Sequence, residues 1–199
     1  MYKSEWTKDP VLHIFPHWNW KSGQTIDVWA YTNCDEVELF LNGKSMGVRK
    51  KVGDQLHLMW RLTYEPGMLK AVGRKGSEVL IDQVKTAGPA SQIVLHADRK
   101  VISADGRDLS FVTVKVLDDK GTLVPDAANL VHFALSGEGR IAGVDNGCET
   151  DLDPFKADYR KAFNGLALVV VQSAEKAGKI SLEASSDGLT PSTIVIETK

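Results

Sequence analysis

Short runs of alternating apolar and polar residues recur through this sequence, cut at roughly 8–12-residue spacing by glycine, asparagine, aspartate or proline. That rhythm constrains the fold more than any other feature. Period-two alternation over five to eight residues buries one face of a strand, and no stretch carries a long amphipathic helix. Residues 36–41 are the clearest case, with Val37, Leu39 and Leu41 alternating with Glu36, Glu38 and Phe40. Asn42-Gly43 follows at once. Both central residues of a type I′ turn need positive φ, so this dipeptide predicts a hairpin between 36–41 and 45–51. Strands are expected at 24–32 and 56–64, then a turn at Glu65-Pro66-Gly67, then a closing hairpin of 68–73 and 78–86. Ala87-Gly88-Pro89-Ala90 is small and turn-prone and reads as a linker. Beyond it, strands are expected at 92–97, 109–117, 131–136, 166–173, 179–185 and 193–197. Residues 2–8 fit the last turn of a helix, 155–163 a short helix or ordered loop, and the glycine-rich stretches within 137–147 backbone turns. The fold class is all-β, with two tandem β-sandwiches over 11–86 and 90–199.

Composition closes other routes. At 43% apolar and 25% charged residues the chain can pack a core, which excludes disorder. With 24 basic against 26 acidic residues it carries no electrostatic footprint for nucleic acid. Its longest apolar run, 166–171, is far short of the ~20 residues of a membrane helix, so no membrane insertion is expected. Cys34 and Cys148 lie far apart without a CxxC partner. They read as two buried free thiols, with a disulfide across the linker as the alternative. The first eight residues lack the apolar stretch of a secretory leader and are expected to be an internal segment behind a start codon.

Candidate chemistry centres on His13-Ile14-Phe15-Pro16-His17-Trp18-Asn19-Trp20. Histidines four apart can share a metal on a helix, but Pro16 between them argues against a helix. The better readings use the flat indoles of Trp18 and Trp20, either stacked on a sugar or packed against a core or an adjoining domain. His13, His17, Trp18, Asn19 and Trp20 are therefore the candidates for docking or carbohydrate contact. No acidic pair suggests a glycosidase, since Glu36 and Glu38 share a strand face beside a hairpin turn and Asp118-Asp119, Asp151 and Asp153 read as loop acids. Asp105-Gly106-Arg107-Asp108 has only part of a calcium-loop pattern. The glycines at 137–139 and 143–147 follow no phosphate-binding spacing. Lys156, Arg160 and Lys161 read as a solvated or salt-bridged loop. No catalytic residue, metal or cofactor is expected.

Several motifs, taken in order, resemble one family. HIFPHWNW (13–20), VELFLNGKSMG (37–47), YEPG (64–67), DGRDLSFVTV (105–114), GVDNG (143–147) and PFKADYRKAFNGLALVVVQS (154–173) are similar to the C-terminal region of bacterial family-two glycoside hydrolases of the β-galactosidase type. The resemblance covers nearly the whole chain. It implies that the two sandwiches are immunoglobulin-like and follow a catalytic barrel. Residues 1–10 then resemble the tail of that barrel. The family's catalytic glutamates sit on barrel strands, and a barrel needs about 250 residues, so none maps onto this chain. The resemblance implies a non-catalytic accessory role, the barrel of the same parent chain as partner, and a periplasmic or extracellular parent. The rivals are a carbohydrate-binding module using Trp18, Trp20 or Trp29, and an adhesin of immunoglobulin-like repeats.

Overall fold

The computed structural model describes residues 1–199, which divide into two compact units, Met1–Thr86 and Ala87–Lys199. No helix is long and apolar enough to cross a membrane.

The first unit opens with a short helix, α1 (Tyr2–Trp6), followed by β1 (Leu12–Phe15), β2 (Thr25–Thr32), β3 (Glu36–Leu41), β4 (Lys44–Arg49), β5 (Leu58–Thr63), β6 (Met68–Lys75) and β7 (Glu78–Lys85). These form a three-stranded sheet, β1-β2-β5, and a four-stranded sheet, β4-β3-β6-β7, both antiparallel. The chain crosses from one sheet to the other after β2 and again around β5, so neither sheet can form alone. Period-two alternation decides which side chains go inside. Ile26, Val28 and Ala30 of β2 meet Val37, Leu39 and Leu41 of β3, with Trp60 of β5 and Leu69 of β6 completing the core. The Asn42-Gly43 turn has both residues at positive φ, 52° and 82°, and pairs Leu41 with Lys44 as the turn chemistry requires.

The second unit contains β8 (Gln92–Ala97), β9 (Val101–Ile102), β10 (Leu109–Leu117), β11 (Leu130–Gly137), β12 (Gly139–Asp145), β13 (Tyr159–Lys161), β14 (Leu166–Ser173), β15 (Gly178–Ser185) and β16 (Ser192–Thr198). A four-stranded sheet, β12-β14-β10-β8, faces a five-stranded one, β13-β11-β15-β16-β9, across a core that includes Val112, Val114, Val169, Val171, Ile180, Leu182 and Ile196. The strand β9 pairs in parallel with β16. Asp118, 2% exposed, ties the start of this unit to a turn. Its Oδ2 accepts the Gly88 N–H at 2.9 Å, and its Oδ1 accepts those of Lys120 and Thr122 at 3.0 and 2.7 Å.

Two local expectations change. Residues 139–145 form a strand rather than a chain of turns. Their glycines permit close packing: a Cβ on Gly139 would lie 2.4 Å from Ile180 Cδ1 and 2.7 Å from the Gln172 carbonyl. Residues 155–163 hold no helix; they contain β13, which pairs with β11. Residues 12–15, for which the alternation gives no expectation, form β1, paired with β2 from Leu12↔Thr32 to Phe15↔Trp29.

Candidate functional site

The outer face of the β1-β2-β5 sheet is aromatic. Inward positions of β1 and β2 carry core residues, so the opposite phase of the alternation sends His13, Phe15, Trp29 and Tyr31 outward. His57, just before β5, joins them. Phe15 lies 4.7 Å from the Tyr31 ring and 5.7 Å, edge-on, from Trp29. His57 covers one face of Trp29 at 4.1 Å with the ring planes only 15° apart. His13 is stacked with Phe15 at 6.0 Å, and its Nδ1 lies 3.2 Å from Asp82 Oδ2. The same Asp82 oxygen accepts the Ile14 N–H at 2.8 Å, so β7 pins the edge of β1 through one carboxylate. At the far end of the face, Arg61 grips Asp27 with two hydrogen bonds of 2.7 and 2.9 Å. Hydrogen bonding from Arg61 holds the Asp27 carboxyl below its ordinary range, despite some opposing desolvation.

The five residues singled out from sequence do not share one surface. His13 belongs to the aromatic face. His17 stacks on Trp20 at 4.5 Å, and the Trp20 indole N–H donates to the His17 carbonyl at 2.8 Å. Asn19 follows that pair, its N–H donating to His17 Nδ1 at 3.2 Å. Trp18 is the correction: it is fully buried in the first core and offers no face to a sugar or to another domain. The sequence signal for Trp29 and Tyr31 was present, since both lie in the polar phase of 24–32. Nothing local marks His57, which sits in an irregular connection.

Other candidates resolve into structure. Asp105 Oδ1 caps the N–H groups of Arg107 and Asp108 at 2.8 Å each. Asp108 accepts the Ser103 N–H and pairs with Arg99, and these bonds lower its carboxyl to about 2. No three histidine, cysteine, aspartate or glutamate side chains gather to hold a metal ion. Both cysteines are free, Cys34 buried and Cys148 half-buried. Of the solvated and salt-bridged readings, Arg160 takes the second: it is 1% exposed and paired with Asp151 at 3.0 Å.

Residues 93–195 match the family Glycoside hydrolase family 2 C-terminal domain 5, and residues 23–80 match a domain of unknown function (DUF4982). A beta-galactosidase of Bacteroides ovatus, BoGH2A, is 52% identical over 198 residues, covering 98% of this chain and 23% of that protein. A family 2 glycosyl hydrolase from Bacteroides cellulosilyticus superposes with a TM-score of 0.93 at 33% identity, over 99% of this chain and 29% of the other. A beta-glycosidase from Bacteroides vulgatus gives 0.94 at 34% identity, over 99% and 26%. The chain thus spans about a quarter of the length of the relatives it matches. With a matched C-terminal domain filling more than half of its residues, the chain belongs to glycoside hydrolase family 2 and represents that family's C-terminal domain region.

Proposed function

We propose that this chain is the non-catalytic C-terminal accessory region of a β-galactosidase-like glycoside hydrolase, packing on the catalytic barrel and supporting its shape. One observation carries the reading: 98% of this chain aligns with only 23% of a beta-galactosidase. The aromatic face of His13, Phe15, Trp29, Tyr31 and His57 is the contact surface, with His17, Asn19 and Trp20 beside it in sequence. Half-buried rings lose more water when covered by protein than a polar face does, at roughly 25 cal/mol per Å². Protein docking suits this face better than sugar stacking, because His57 already covers the Trp29 face. Residues 1–10 are the tail of the barrel. In support, α1 turns both aromatics outward, Tyr2 63% and Trp6 81% exposed.

The test separates the parent enzyme into a tailless catalytic portion and this chain. Association is measured by titration, and folding of each variant by its melting curve. Tyr31→Ser with His57→Ala leaves the chain folded and weakens association about tenfold or more. Unchanged association with a folded double variant would sink the docking face. No association for the unsubstituted chain would sink the accessory role. On the family resemblance, we propose a periplasmic or extracellular parent, which fractionation of the producing cells tests.

A further inference from the structure

The second unit holds an open cleft of about 710 Å³. Its lining includes Arg140 and Ile141 of β12, Gln172 of β14, and Lys156, Ala157 and Asp158 from the connection before β13. Arg140 is fixed from one side. Its Nε and Nη2 donate to Gln172 Oε1 at 3.1 and 3.0 Å, while Gln172 Nε2 donates to the Gly106 carbonyl at 2.7 Å. A neutral amide therefore positions the guanidinium without cancelling its charge. Neither Arg140 nor Lys156 takes part in any of the molecule's ion pairs.

The connection that carries Lys156 is braced through its backbone. Buried Arg160 donates to Asp151 Oδ2 at 3.0 Å, to the Val144 carbonyl at 3.2 Å and to the Pro154 carbonyl at 2.8 Å. These bonds brace the connection that carries Lys156. The Phe133 N–H holds the Asp158 carbonyl at 2.7 Å. Two uncompensated cations and one carboxylate thus stand on braced walls around a cleft of ligand size.

The charges say what would fit. A guanidinium with a free edge matches the two oxygens of a carboxylate or sulfate group, and an ammonium beside it adds a point charge. Asp158 works against a bare anion but accepts hydrogen bonds from hydroxyls. An anionic group attached to a hydroxyl-rich ring satisfies all three. We infer that this cleft binds an acidic saccharide, with its carboxylate or sulfate ester on Arg140 and Lys156 and a ring hydroxyl on Asp158. Gln172 is a positioning residue. The inference does not depend on the accessory role above.

Calorimetric titration of the full 199-residue chain tests it. The probes are trigalacturonate, its methyl ester, a sulfated galactotriose, neutral galactotriose and sodium sulfate. Saturable binding of trigalacturonate assigns a carboxylate site, and of the sulfated trisaccharide a sulfate-ester site. In either case Arg140→Ala and Lys156→Ala weaken binding about tenfold or more, and raised salt weakens it further. Lys156 is exposed, so its variant decides the matter if Arg140→Ala disturbs folding. The inference fails if neither acidic saccharide saturates by about 10 mM, well above a millimolar dissociation constant. It also fails if the neutral or esterified sugar binds as well, if sodium sulfate alone binds as tightly, or if the folded variants bind unchanged.

Discussion

Trp18 is enclosed on several sides. Its indole N–H donates to the Glu65 carbonyl at 2.9 Å, its own carbonyl accepts the Thr86 hydroxyl at 2.8 Å, and the Tyr64 ring stands edge-on at 5.2 Å. Truncating it leaves a cavity as well as losing burial, so Trp18→Ala should destabilise the first unit by about 3–5 kcal/mol. Urea unfolding of the isolated chain reads this directly, and a loss below about 1 kcal/mol would show that Trp18 is not a core residue. Asp118 makes a second residue-scale case. Hydrogen bonds from backbone N–H groups, that of Gly88 foremost, hold its carboxyl below the ordinary 3.8, against the opposing effect of burial. The unfolded chain therefore takes up the proton first as pH falls. The stabilisation is fully present above 3.8 and is lost as pH drops through the lower folded value. Asp118→Asn should cost about 1–3 kcal/mol at neutral pH, with the difference from the unsubstituted chain shrinking in acid. Urea midpoints compared at neutral and strongly acidic pH check the sign, and a penalty that grows in acid would contradict it.

At the scale of elements, two turns of the first unit are interlocked. Asn42, in the β3–β4 turn, accepts the Met68 N–H at 2.9 Å and donates to the Pro66 carbonyl at 3.1 Å. Gly67 sits at φ 140°, and a Cβ there would lie 1.8 Å from Asn42 Oδ1. Gly67→Ala should therefore collide with Asn42, while Asn42→Ala removes the obstacle. The double variant should be more stable than the sum of the single losses predicts, by about 1 kcal/mol or more. Strict additivity in thermal or urea unfolding would show that the turns are independent. Strands with one buried face announce themselves: β3 and β14 alternate buried and half-buried residues without interruption. The strand β12 does not, because Gly139 and Gly143 interrupt the pattern and a bulge separates Ile141 from Gly143. Arg160 was equally hard to place. A cation in a polar loop reads as solvated or salt-bridged, and only the fold, which brings Asp151 and the carbonyls of Val144, Asp153 and Pro154 to it, decides between them.

At the scale of the whole molecule, two all-β units occupy the full chain. On the accessory reading, the purified chain should turn over no nitrophenyl-galactoside above blank, and turnover that survives repurification would overthrow that reading. The all-β architecture, the Asn42-Gly43 hairpin and the family membership are determined by the sequence itself. Each rests on local chemistry: alternation, turn dihedrals, and motifs kept in order. The surfaces are different. HIFPHWNW is one continuous segment, yet folding sends His13 outward, Trp18 into the core and Trp20 onto His17. Only pairing of β2 with β1 on one side and β5 on the other collects Phe15, Trp29 and Tyr31 with His57. Arg140 likewise meets Gln172 only through the β12–β14 ladder, 32 residues apart in the chain. A strand's own sequence fixes which of its side chains share a face, but which strand lies beside it is decided by burial across the sandwich.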